Sequence, residues 1–263
     1  MIVEQIWTAN AYRNFNYLVA CPETGDALAI DPLDFRQCLA VAKERAWNIT
    51  QILNTHEHGD HTGGNSGIVQ ATGAKIIAHK NAKDRIPNVD RGVGAGDIIK
   101  VGKSVELECL DTPGHTMSHI CLLSKTDQPG FFSGDTLFNA GAGNCHNGGH
   151  PEQLYETFER QLTRLGDDTL IYPGHDYLLN NLAFTLDREP DNAVAAQMVE
   201  QYKNQDPADA LVTTMAQEKE TNTFFRLKNP SVIAKLAQDF PEIGDNPDTK
   251  TVFLKLRELR NSW

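Results

Sequence analysis

The sequence predicts an α/β (α+β) chain, with strands and helices alternating through residues 1–177 and helices alone through residues 178–263. Three observations carry this reading. Short apolar runs such as Phe15-Asn16-Tyr17-Leu18-Val19-Ala20 and Ala74-Lys75-Ile76-Ile77-Ala78-His79 alternate with segments of helical spacing, the pattern of helices packed on sheets. From Leu178 onward the strand patterns stop, and helical segments are interrupted by Pro190, Pro207, Pro230, Pro241 and Pro247. A dense set of histidines and aspartates also follows the strand-like runs, where a rigid scaffold can hold them.

Taken in order, residues 2 to 7 alternate as a strand, and Phe15 to Ala20 and Ala27 to Ile30 flank the turn Pro22-Glu23-Thr24-Gly25-Asp26 as a hairpin closed by Asp31-Pro32. From Phe35 to Trp47 the residues Leu39, Val41, Ala42 and Ala46 recur at helical spacing, with Asp34 as N-cap. Ile49 to Leu53 reads as a strand, Ser66 to Thr72 as a short helix ended by Gly73, and Ala74 to His79 as the next strand, with His79 as a surface or loop residue. Asp97 to Lys100 and Val105 to Leu110 pair as strands, followed by Ile120 to Leu123 and Phe131-Phe132. Pro151 to Leu165 is an amphipathic helix with Leu154, Phe158, Leu162 and Leu165 on one face, and Thr169 to Tyr172 is a further strand.

A chain of 263 residues can bury a large core, and its 40% hydrophobic and 22% charged content is that of an ordinary soluble globular protein. A net charge of −11 argues against a nucleic-acid surface, which needs a basic face. No apolar run is long enough to cross a bilayer, and Met1 to Trp7 lacks a secretory pattern, so a cytoplasmic protein without a membrane partner is expected. The five cysteines, Cys21, Cys38, Cys109, Cys121 and Cys145, are an odd number with no close pairing pattern, which fits reduced thiols.

The chemistry concentrates in Thr55-His56-Glu57-His58-Gly59-Asp60-His61-Thr62-Gly63-Gly64-Asn65, directly after the apolar pair Ile52-Leu53. Extended chain repeats its side-chain direction every second residue, so His56 and His58 point to the same side, while Asp60 and His61 follow where the chain turns. One segment can therefore offer ligands to neighbouring metal ions, and imidazole and carboxylate suit zinc, iron or manganese. Downstream, His115, Asp135 and His175 each follow a strand-like run and are each preceded by a glycine.

These motifs, THEHGDHTGGN, TPGHTMSHICLL, FSGDTLF, YPGHDYLLNNLAF and Asp187-Arg188-Glu189-Pro190-Asp191-Asn192, resemble the metallo-β-lactamase superfamily and, within it, glyoxalase II, also called hydroxyacylglutathione hydrolase. The resemblance spans nearly the whole chain. It implies an αββα sandwich over residues 1–177 and a helical, substrate-binding domain over residues 178–263. It also implies two divalent metal ions, one held by His56, His58 and His115 and the other by Asp60, His61 and His175, with Asp135 bridging them. His119 is implied to be structural, not a ligand.

Two metals sharing a carboxylate can activate water near neutral pH and stabilise an oxyanion, with Asp60 holding the hydroxide's proton. That chemistry specifies hydrolysis, not the substrate. The resemblance implies a glutathione-derived thioester such as S-D-lactoylglutathione, in methylglyoxal detoxification, with Arg257, Arg260 and Tyr177 matching substrate-contacting positions. The loop departs from the family at Asn144, where a basic residue is usual, and at His146, where an aromatic hydroxyl is usual. Losing that charge removes a charge-assisted contact worth about 1.5–3 kcal/mol, although His146 can still donate to an amide or carboxylate. Competing readings are a persulfide dioxygenase-like enzyme with one iron, a metallo-hydrolase of another thioester or a lactone, and a binding module without turnover.

Overall fold

The computed structural model describes residues 1–126, 128–244 and 246–263. Its strands in chain order begin with β1 (Ile2–Trp7), β2 (Phe15–Ala20), β3 (Asp26–Ile30), β4 (Asn48–Asn54), β5 (Lys75–His79), β6 (Arg91–Val93) and β7 (Ile98–Val101). They continue with β8 (Val105–Asp111), β9 (Ile120–Ser124), β10 (Gly130–Gly134), β11 (Leu137–Phe138), β12 (Gly141–Ala142), β13 (Leu170–Pro173) and β14 (Thr213–Thr214). The helices are α1 (Phe35–Glu44), α2 (Gly59–Thr62), α3 (Asn65–Thr72), α4 (Pro151–Arg160), α5 (Leu178–Arg188), α6 (Ala193–Tyr202), α7 (Met215–Thr221), α8 (Pro230–Asp239) and α9 (Thr249–Arg260).

The chain divides into two compact units. Unit 1 comprises Met1–Thr112, Ser118–Asp135 and Tyr172–Asp176, and unit 2 comprises Pro113–Met117, Thr136–Ile171 and Tyr177–Trp263. In unit 1, strands β1 to β6 form a sheet in sequence order, antiparallel from β1 to β3 and parallel from β3 to β6. A second sheet holds β7, β8, β9 and β10 as antiparallel neighbours. Period-two alternation assigns the faces of β2, which is buried throughout. Leu18 and Ala20 join Cys38 and Ala42 of α1 and Ile68 of α3 in one core cluster. Tyr17 faces the second sheet, its ring 5.6 Å from those of Phe132 and Tyr172.

Local signals set the element ends. Asp34 Oδ1 accepts the Arg36 and Gln37 backbone N–H groups at 3.1 and 3.0 Å, which caps α1. Gly73 closes α3 at φ +74°, a left-handed conformation open to glycine without steric penalty. The expected helix Pro151 to Leu165 is shorter: α4 ends at Arg160, and Leu162–Arg164 forms a separate 3₁₀ turn. Strand structure also does not end at residue 177, since β14 pairs with the Leu170-Ile171 end of β13.

Unit 2 is built from helices α4 to α9 with two short strand pairs. One core joins Ala140, Leu178, Leu182, Ala195 and Met198. An aromatic core brings Phe158, Phe224 and Phe253 together with ring centroids 5.1–6.3 Å apart. Each such ring removes enough apolar surface from water to contribute about 1.5–3 kcal/mol.

Candidate active site

Unit 1 gathers Asp60, His61, Asp135 and His175. The Nε2 atoms of His61 and His175 lie 3.2 Å apart, and Asp60 Oδ2 is 3.5 Å from each. Asp135 places Oδ1 3.4 Å from His61 Nε2 and Oδ2 3.2 Å from His175 Nε2. Asp60 reaches this place from the short helix α2, which begins one residue after His58 and turns the chain immediately past the motif's first histidines.

The outward nitrogens of these rings settle what the inward ones are. His175 Nδ1 is 2.7 Å from the Tyr12 carbonyl oxygen, which only accepts, so Nδ1 carries the proton and Nε2 of the neutral ring is a lone pair. His61 Nδ1 is 3.0 Å from Asp31 Oδ2, with the same consequence. His56 Nδ1 is 3.0 Å from Thr55 Oγ1, whose own proton goes to Asp31 Oδ2 at 2.7 Å, so His56 donates from Nδ1 and presents Nε2, 3.0 Å from His58 Nδ1. Lone pairs aimed at one another beside carboxylates repel unless a cation lies among them. The donor set of Asp60, His61 and His175, with ligand atoms within 4.8 Å of one another, thus fits a divalent ion.

The local field agrees. Burial opposes a charged His61 ring, but Asp135 and Asp31 outweigh it and raise its pKa well above the ordinary value, so Nε2 takes a second proton unless a metal cation occupies that position instead. Burial likewise opposes the Asp135 carboxylate, and the His175 and His61 rings overcome it and hold its pKa well below the usual range. Positive charge is favoured here.

Two supporting residues, Asp31 and Asn14, carry no motif signal. Asp31 takes the Thr55 N–H on Oδ1 at 2.8 Å, besides the Thr55 hydroxyl and His61 on Oδ2, so it backs an imidazole from each proposed ligand set. Asn14, fully buried, donates its amide to Asp60 Oδ2 at 3.1 Å and aims that carboxylate. His119 lies behind the ligands: Nδ1 is 2.9 Å from Thr112 Oγ1, and Nε2 is 3.2 Å from the Asp135 backbone N, fixing the loop that carries Asp135. His79 corrects the sequence reading, being buried at the end of β5, with Nδ1 accepting from the Asn81 N–H and Nε2 3.4 Å from Asp111 Oδ1. The glycine before His175 also has a reason: a Cβ on Gly174 would lie 2.3 Å from Asp135 Oδ1.

Unit 2 contains His115 on Pro113–Met117, with Nδ1 2.7 Å from the Asn144 carbonyl oxygen and Nε2 again the lone pair. The same unit has a cavity of about 240 Å³ lined by Phe138, Asn144, His146, Tyr177, Arg257 and Arg260 among others. The five substrate-contact candidates thus meet in one place. The Tyr177 ring packs edge-on against Phe138 at 5.2 Å. Arg257, expected on an exposed helix face if it had no function, is 4% exposed and donates from Nη1 to the Ala142 and Gly143 carbonyls at 2.7 and 3.1 Å. Arg260 donates to Asn181 Oδ1 at 3.3 Å. Burial pushes the Cys145 thiol up to about 11, which keeps it protonated and unreactive.

The family model of the metallo-beta-lactamase superfamily matches residues 20–175, and that of the hydroxyacylglutathione hydrolase C-terminus matches residues 176–263. Over the whole of both chains, the protein is 68% identical to a hydroxyacylglutathione hydrolase of Polaromonas sp. and 64% identical to one of Nitrosococcus oceani. Among solved structures it is similar to ETHE1 from Myxococcus xanthus, at 26% identity and TM-score 0.66, over 100% of this chain and 99% of that one. The chain is therefore a metallo-hydrolase of the αββα metallo-β-lactamase fold with a helical C-terminal domain, and it belongs to the hydroxyacylglutathione hydrolases of the metallo-β-lactamase superfamily.

Proposed function

We propose that the protein hydrolyses S-D-lactoylglutathione, or a closely related 2-hydroxyacyl thioester, to the hydroxy acid and free thiol in the cytosol. The relatives at 68% and 64% identity, both named hydroxyacylglutathione hydrolase, support the substrate class. The observation that carries the chemistry is the pair of Nε2 lone pairs of His61 and His175, 3.2 Å apart and facing Asp60 and Asp135. No helix among the described residues is long and apolar enough to cross a membrane.

In this reading residues 1–177 form the catalytic domain and residues 178–263 the substrate-binding domain, close to the division between the two family models. His56, His58 and His115 would hold one ion and Asp60, His61 and His175 the other, with Asp135 serving both; zinc is the proposed metal. When bound, such ions lower the pKa of water and polarise a carbonyl. The residues do the rest. Asp60, held by the Asn14 amide at 3.1 Å, would accept a hydrogen bond from the proton of the attacking hydroxide and so aim its lone pair at the carbonyl carbon. The Nδ1 partners of His56, His61, His115 and His175 keep these four rings in the tautomer that presents Nε2, whereas His58 turns Nδ1 toward His56 Nε2. Arg260 and Arg257 supply positive charge for glutathione carboxylates, and Tyr177, Asn144 and His146 supply polar contacts along the same cavity.

The test is steady-state hydrolysis of S-D-lactoylglutathione beside lactoyl-CoA and a simple lactone, on protein whose metals have been counted. Efficient turnover of the glutathione thioester at about two metals per chain is expected. Two metals without that turnover, or oxygen consumption with a glutathione persulfide in its place, overturns the reading. Asp60→Ala should reduce kcat by at least about 100-fold while the melting temperature stays near that of the parent.

A further inference from the structure

Glu218, on α7, is fully buried. Its carboxylate accepts from the Ala140 backbone N–H at 2.9 Å, from the Thr213 hydroxyl at 2.8 Å and from the Asn222 amide at 3.0 Å. Every one of these partners is neutral. An ionised carboxylate taken out of water without a counter-charge is among the costlier placements a fold can make, and here burial raises its pKa to about 7.

The partners show what that placement achieves. Ala140 sits at φ +55°, which a residue with a Cβ adopts only when its surroundings impose it, and Glu218 Oε2 holds its N–H. Beside it, Asn139 donates its side-chain amide to the same Thr213 hydroxyl at 2.8 Å, and the Asn139 carbonyl accepts from Asn181 at 2.9 Å. Asn181 then accepts from Arg260. The Asn222 amide that binds Glu218 also donates to the Gly141 carbonyl at 3.0 Å, and the next two carbonyls, Ala142 and Gly143, accept from Arg257. The loop from Asn139 to Asn144 is therefore gripped from both sides: the carboxylate takes its N–H, and the guanidinium takes its carbonyls. Ala142 and Asn144 of that loop, with Asn181, Arg257 and Arg260, line the cavity of about 240 Å³.

We propose that Glu218 is a positioning residue for substrate, setting the Asn139–Asn144 loop and, through Asn181, the Arg260 guanidinium in the geometry that receives the glutathione moiety. The inference rests on the cavity being the glutathione subsite. Glu218 lines no part of it and acts only through the loop. A carboxylate does this better than an amide because its oxygens only accept, and every partner here donates.

The experiment compares the parent protein with Glu218→Ala and Glu218→Gln by calorimetric binding of S-methylglutathione and by KM and kcat for S-D-lactoylglutathione, at a temperature where each variant is folded. Glu218→Ala should weaken S-methylglutathione binding and raise KM by about tenfold each, with kcat changed by less than about threefold. Glu218→Gln, which retains one accepting oxygen but turns an N–H toward a donor, should give values between those of the parent and Glu218→Ala. Binding and KM like the parent in Glu218→Ala, or a Glu218→Gln weaker than Glu218→Ala, overturns the inference. If Glu218→Ala does not fold, Thr213→Val takes its place, removing the hydroxyl between Asn139 and Glu218; about threefold weaker binding supports the role, and unchanged binding refutes it. A parent protein that neither binds S-methylglutathione nor turns over the thioester refutes the subsite reading instead, so the two failures are distinguishable.

Discussion

The Asp31 carboxylate stands directly behind His61, with Oδ2 3.0 Å from the imidazole Nδ1, and the same oxygen accepts the Thr55 hydroxyl that orients His56. One acidic side chain thereby fixes the tautomer of a ring in each proposed ligand set. Asp31 itself sits at φ +48°, a conformation that aspartate and asparagine tolerate better than most residues.

Asp31→Asn keeps that backbone preference but cannot keep the bonds, because either amide orientation turns an N–H toward a donor. The variant should retain less metal after dialysis and lose about 10- to 100-fold in activity. Metal analysis beside kcat decides; parental metal content with parental kcat refutes the role.

Two glycines of the site motifs should respond oppositely to alanine. In Gly174→Ala the new Cβ meets Asp135 Oδ1 at 2.3 Å and His61 Cε1 at 2.9 Å, so metal content and turnover should both collapse. In Gly59→Ala it meets nothing within 4 Å, and activity should stay within about twofold. Equal effects would show that the close approach at Gly174 is not the reason for that glycine.

Arg257 and Arg260 line one cavity, yet their removal should have different consequences. Arg257→Ala leaves the buried Ala142 and Gly143 carbonyls without their donor, and should cost about 2–4 kcal/mol of stability as well as raise KM. Arg260 is half-buried with one hydrogen bond to Asn181, so Arg260→Ala should raise KM with a much smaller loss of stability. Denaturant titrations set beside KM separate the two.

Glu218 carries a pH signature. Its folded pKa, about 7, lies above its ordinary value of 4.5, so the folded state binds a proton that the unfolded chain releases. Its stabilising contribution is fully present below pH 4.5 and is lost as the pH rises through 7, a change of roughly 3 kcal/mol. Glu218→Gln has nothing to titrate. The difference in unfolding free energy, variant minus parent, should therefore grow in favour of the variant between pH 4.5 and 8. A flat difference over that range would show that Glu218 is ionised in both states.

What the residues reveal by themselves follows the range of the physics involved. His56, His58, Asp60 and His61 were legible because they lie within six residues of one another directly after a strand, although β4 ends at Asn54 and a bend at Thr55-His56, not extended alternation, precedes His58. The strands β2, β4 and β5 and the cap at Asp34 were legible because their patterns are local too. The end of α4 and the strand β14 were not, because a helix stop at Gln161 and a two-residue pairing at Thr213 leave little mark on periodicity. His79 looked like a surface residue because burial depends on what packs over a strand end.

The sequence alone pointed to the reaction class, since the ligand types and their order suit divalent cations and the resemblance those motifs carry is to metallo-hydrolases, with an iron-dependent dioxygenase left as the alternative. Only the tertiary structure decided which groups make that site work. Asp31, Asn14 and Glu218 act on partners 30, 46 and 78 positions away in the chain, and nothing in their neighbours announces it. Arg257 was visible as a cation but not as the clamp of a loop. A side chain's type travels with the sequence; its hydrogen-bond partner, and so its tautomer, charge and work, is assigned only when distant segments meet in the folded state.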